Sequence, residues 1–145
     1  MKKSLRCICA ALFMLAFCTG FVIHASAVER ASLYLTRYSA TVSASNNGAI
    51  EMSIFVVGNK SVSELGASYI LLEESDDGGK TWSTAREYEG QSWMTAENRS
   101  TYSRTLSYPG TIGHQYRVTA EVFAKDANGG DSRTTPTSPV VTAKR

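Results

Sequence analysis

From Leu33 to the C-terminus, apolar and polar residues alternate with a period of two, and no window carries the three-to-four spacing of an amphipathic helix. The alternation predicts seven strands. The first covers 32–45 and puts Tyr38, Ala40, Val42 and Ala44 on one face; Leu33 and Leu35 have the opposite parity, so a bulge or a change of sheet is expected near Arg37. Asn46-Asn47-Gly48 reads as a hairpin turn. The second strand, 50–57, turns Ile50, Met52, Ile54 and Val56 inward and is expected to close at Gly58-Asn59-Lys60-Ser61. The third, 67–74, holds Tyr69-Ile70-Leu71-Leu72, apolar on both parities like a strand covered on both faces. The fourth, 82–88, follows a polar turn, and a loop with Gly90 and Trp93 leads to the fifth, 100–108, ended by Pro109-Gly110. The sixth is the most regular: Tyr116, Val118, Ala120, Val122 and Ala124 alternate with Arg117, Thr119, Glu121, Phe123 and Lys125. Asn128-Gly129-Gly130 turns it into a Thr-rich edge strand, where Pro136 and Pro139 fit because no amide donor is needed. Seven short strands with frequent turn signals make the pattern of an antiparallel all-β sandwich.

The N-terminus breaks this pattern and changes the bookkeeping. Lys2, Lys3 and Arg6 precede an apolar run over 7–23, and His24-Ala25-Ser26-Ala27 supplies a small-x-small exit. These are the three parts of a secretory signal, so 1–27 is expected to be removed after Ala27 and 28–145 to form the exported domain. A retained anchor would need about 20 apolar residues. Leu15-Ala16-Phe17-Cys18 offers a cysteine for lipid attachment, but Phe17 stands where a lipobox takes a small residue, so anchoring at Cys18 is disfavoured. Cys7, Cys9 and Cys18 all lie in the leader, which leaves the mature chain without a disulfide framework or a thiolate metal site. Twelve basic residues then face 13 acidic ones. With no basic patch left to release counterions, nucleic acid and anionic membrane lose their electrostatic argument. A released, extracellular protein is the expectation.

Two motifs carry resemblances. Leu106-Ser107-Tyr108-Pro109-Gly110-Thr111, followed by Tyr116-Arg117-Val118-Thr119-Ala120, resembles the Leu-x-Pro-Gly-Thr-x-Tyr-x-Val stretch of fibronectin-III domains. The resemblance implies a fibronectin-III or immunoglobulin-like sandwich in which Tyr116 makes a tyrosine corner, its hydroxyl returning to upstream backbone. Extra residues beside the proline, among them Ile112-Gly113-His114-Gln115, depart from that pattern. Ser75-Asp76-Asp77-Gly78-Gly79-Lys80-Thr81-Trp82 resembles the Asp-box known from sialidases. There Ser75 and Asp77 would bond the turn's own amides, Gly79 would take a strained φ and Trp82 would plug the apolar side. In that family the box is structural, so a lone box implies a hairpin and no chemistry. The mature chain as a whole resembles small secreted proteins of Gram-positive bacteria.

Candidate chemistry is sparse. His114, the one histidine of the mature chain, sits in a polar loop with no nucleophile or orienting carboxylate marked nearby. Glu73 and Glu74 are neighbours on a strand and point to opposite faces, which excludes them as a facing glycosidase pair. Asp126-x-Asn128-x-Gly130-Asp131 puts an aspartate where a calcium loop needs its glycine, so a plain turn is the better account. No catalytic residue, cofactor or metal site follows from the sequence. Aromatic side chains are the remaining feature: Tyr69, Trp82 and Tyr116 are assigned to the core, Phe55 and Phe123 to outward parity, and Tyr88, Trp93 and Tyr102 to the flanks of loop 89–98 as a candidate binding surface. The expected function is a secreted, non-enzymatic interaction module for a glycan or protein at the cell surface. A small glycan-active hydrolase around the Asp-box and a self-associating matrix protein are the alternatives.

Overall fold

The computed structural model describes residues 32–145; the leader, the cut after Ala27 and Cys18 lie outside the described residues. Among the described residues the secondary structure is all-β apart from single 3₁₀ turns at Asn46–Gly48 and Ser92–Met94. Seven strands, β1 Leu35–Ala44, β2 Ala49–Ser75, β3 Ser83–Glu89, β4 Thr95–Pro109, β5 Gln115–Asp126, β6 Gly129–Thr134 and β7 Val141–Thr142, pair antiparallel in one curled sheet. The period-two pattern explains them: in β2 and β5 every second side chain is buried, as at Ile50, Met52, Ile54 and Val56 and again at Val118, Ala120, Val122 and Ala124.

The strands are seven, but two boundaries differ from the sequence reading. The expected second and third strands are one, β2, 27 residues long. Gly58-Asn59-Lys60-Ser61 does not reverse the chain, because its polar groups find partners without a turn. The Asn59 N–H donates to the Tyr34 carbonyl at 3.0 Å, and the Asn59 amide donates to the Leu33 carbonyl. The register against β4 shifts between Val57 and Val62, opposite the part of β4 where Asn98 takes a positive φ of 51°. The expected final edge strand, in turn, is split into β6 and β7.

β2 organises the sheet. Its first half lies between β1 and β4, and its second half lies largely between β5 and β3. β6 and β7 then pair with β5. The curl brings β1 together with β5, so that one face of both halves closes over a common core. Large buried side chains such as Ile54, Ile70, Leu72 and Met94 each contribute on the order of 1.5–3 kcal/mol. The parity change in the N-terminal segment falls at a bulge between Leu35 and Arg37.

Between β6 and β7 the ladder is completed by side chains. The Ala120 N–H donates to Thr135 Oγ1 at 3.0 Å, and the Val118 N–H donates to Ser138 Oγ at 2.9 Å. Thr135 and Ser138 are buried, whereas Pro136 and Pro139, which have no N–H to give, face solvent.

Candidate functional site

The turn between β2 and β3 is consumed by its own hydrogen bonds. The Asp77 carboxylate accepts from Lys80 N at 2.9 Å, Thr81 N at 3.0 Å, Thr81 Oγ1 at 2.6 Å and Ser75 Oγ at 2.8 Å. Ser75 Oγ accepts in turn from Gly79 N at 2.9 Å, and Trp82 Nε1 donates to the Gly79 carbonyl at 3.1 Å. Gly79 has φ 87°. Donors from Thr81 and then Ser75 hold the Asp77 carboxyl well below the usual carboxylate range. Trp82 is only partly buried, and its ring lies 4.2 Å beneath the Arg117 guanidinium, outside the main core.

The neighbouring glutamates separate to two faces, as strand geometry requires. Glu73 takes Arg117 in a two-pronged pair, Nε to Oε2 at 2.7 Å and Nη2 to Oε1 at 3.0 Å. Glu74 accepts from the Tyr116 hydroxyl at 2.5 Å and meets His114 Nδ1 at 2.7 Å. Burial opposes the charge of Glu74, but the bonds from Tyr116 and His114 outweigh it and lower the carboxyl's pKa. The Tyr116 hydroxyl also accepts the Thr111 N–H at 2.8 Å. His114 therefore has a carboxylate partner that the sequence does not mark, because the contact joins residues 40 positions apart.

The aromatic candidates divide. Tyr102 is 5% exposed and belongs to the core, where its hydroxyl donates to the Trp93 carbonyl at 3.1 Å. It positions the loop and offers no face to a ligand. Tyr88 and Trp93 are half-buried and stand edge to face, with ring centroids 5.6 Å apart and planes at 74°. The pair forms because Gly90 (φ 64°) and the turn Ser92–Met94 fold the chain back between β3 and β4, while buried Met94 pins the turn. With Arg86, Glu87, Glu89 and Gln91 they line an open hollow of about 460 Å³.

The guanidinium of Arg86 lies 5.4 Å from the Tyr88 ring, and that of Arg104 lies 5.0 Å from the Trp93 ring. The sequence reading missed both arginines. The available signal was parity, since Arg86 and Tyr88 share one side of β3 and Arg104 falls between Tyr102 and Leu106 on β4.

A second hollow, of about 510 Å³, lies over the β5–β6 hairpin. Its two aspartates already have partners: Asp126 holds Lys60 at 2.8 Å and the Asn128 N–H, and Asp131 holds Ser32 Oγ and the amides of Leu33 and Tyr34. Among the described residues no group of His, Cys, Asp and Glu is placed to hold a metal ion.

Comparison with protein-family models finds no match, and a search of curated proteins also finds none. The geometry of the hollow therefore carries the functional argument by itself.

Proposed function

We propose that the chain is a secreted, non-enzymatic binding module whose ligand is a glycan, met in the hollow around Tyr88 and Trp93. The observation that carries this reading is the pairing of two accessible aromatic rings with polar groups of both signs in one open hollow. The Gln91 side-chain oxygen offers an acceptor, Arg86 offers donors, and Glu87 and Glu89 border the hollow from the other side of β3. The Trp93 indole N–H donates to no described residue and adds another donor. A hydroxyl-rich ligand uses donors and acceptors together, and apolar ring edges suit its C–H surface. The non-enzymatic part is supported by the state of the carboxylates near the turn, since Asp77, Glu73 and Glu74 are each engaged by structural partners.

The same reading takes the curled sheet as a two-layer sandwich of the fibronectin-III or immunoglobulin-like kind. β1, the first half of β2 and β4 would form one layer, with the second half of β2, β3, β5, β6 and β7 as the other. The Thr111 N–H bonded to the Tyr116 hydroxyl supports a tyrosine corner.

The test is retention on insoluble polysaccharides, peptidoglycan and mucin. Trp93→Ala is expected to abolish retention. Gln91→Ala, at an exposed position of the same hollow, is expected to weaken it with an unchanged thermal melt. Retention equal to that of the parent protein in both variants, or retention of none of these materials, overturns the proposal.

A further inference from the structure

The rings of the hollow are not bare. Guanidinium, phenol, indole and guanidinium follow one another, with spacings of 5.4 Å from Arg86 to Tyr88, 5.6 Å from Tyr88 to Trp93 and 5.0 Å from Trp93 to Arg104. Both arginines occupy positions of core-facing parity. Arg86 is registered with Leu72, Tyr88 with Ile70 and Arg104 with Ile54, and all three partners are fully buried. Such positions ordinarily carry apolar residues. Here they lie at the outer strands β3 and β4, and both arginines are exposed.

Like Arg37 over Phe55 on β1, these two cations lack a carboxylate partner, but only they stand beside the rings of the hollow. Arg117, Lys60 and Lys125 also lie over aromatic rings, and each is held by a carboxylate. No carboxylate of the described residues is within ion-pairing distance of Arg86 or Arg104. The nearby Glu87 and Glu89 alternate to the opposite side of β3, where Tyr69 is registered with Glu89. A guanidinium held near a ring keeps its N–H fork available, and that fork matches a carboxylate. Arg86 lines the hollow and Arg104 adjoins it over the Trp93 ring, so two unneutralised guanidinium forks stand beside the two rings.

We infer that the hollow selects an acidic glycan, one bearing carboxylates, with Arg86 and Arg104 as the anion-binding residues. The inference rests on the reading of the hollow as a glycan site and adds the charge of the ligand to it.

The two can be separated by titrating the protein with polygalacturonate, hyaluronan and polysialic acid, each in its free-acid and methyl-esterified form. At least one free acid is expected to bind about tenfold or more tightly than its ester, the size of one charge-assisted hydrogen bond. Arg86→Gln and Arg104→Gln are each expected to remove most of that difference. Arg37→Gln, which removes the same charge from a ring-stacked arginine on β1, is expected to leave it intact. Arg104→Lys keeps the charge but loses the planar fork, and is expected to bind as weakly as Arg104→Gln. If acid and ester bind alike, or if Arg37→Gln costs as much as Arg86→Gln, the selection for acid fails while glycan binding stands. If none of the six polymers binds, both readings fall.

Discussion

Tyr116 concentrates several local interactions in one side chain. Its ring is fully buried and lies 6.1 Å from that of Tyr108, while its hydroxyl accepts from the Thr111 amide and donates to Glu74. Removing only the oxygen leaves the ring packing intact and strips both hydrogen bonds. Tyr116→Phe is therefore expected to cost about 1–3 kcal/mol in urea unfolding, and an unchanged midpoint would remove this hydroxyl from the account. At this scale the sequence is informative where partners are close along the chain. Ser75, Asp77, Gly79, Thr81 and Trp82 meet within eight residues, and the spacing alone suggests their contacts. Partners distant in sequence are not legible in this way: His114 on Glu74, Arg117 on Trp82 and Tyr102 under Trp93 all depend on which strands become neighbours. Hence Tyr102 reads as a surface ring from sequence, and Arg86 and Arg104 carry no signal there beyond their parity.

The same distinction between local and distant causes governs the elements. Alternation located β1, β3 and β5 to within three residues, because it needs only the side chains of one strand, while β4 begins five residues earlier than expected. It failed at 58–61, where the turn-forming residues remain extended because the N-terminal segment and Asp126 supply partners for Gly58, Asn59 and Lys60. Gly66 marks the other constrained point of β2. It has φ 156°, and a Cβ there would collide with the Met94 carbonyl, on the turn that carries Trp93. Gly66→Ala is expected to cost about 3 kcal/mol through overpacking and to disturb Trp93 fluorescence. Gly78→Ala, with open space around it but φ 77°, is expected to cost about 1 kcal/mol from backbone conformation alone. Equal losses for the two would mean that the close approach beneath Trp93 is unimportant.

Across the whole molecule, the charged groups limit stability at both ends of the pH scale. Glu74, Asp77, Asp126 and Asp131 all have lowered pKa values in the folded state, so each binds its proton more readily once the chain is unfolded. Their contribution is complete above the ordinary carboxylate range and is lost as pH falls through the depressed folded values. Tyr102 and Tyr116 have raised values, chiefly through burial. Their contribution is present below the ordinary phenol value and is lost as pH rises through the folded ones. The melting temperature is expected to be flat near neutrality, to fall below about pH 4 and to fall again above about pH 10. A melt that is level from pH 7 to pH 2 would contradict the carboxylate assignments.

The hydroxyls of Thr135 and Ser138 also bear on aggregation. By occupying the outward amides of β5 they leave that margin of the sheet without free donors to recruit another chain, and the two exposed prolines beside them cannot supply new ones. Strand addition is thus blocked at the stretch of β5 around Val118 and Ala120. The flank formed by β3 and β4, where the arginines stand, keeps open main-chain groups and is the side on which crowding by a neighbouring copy has to be resisted by like charge.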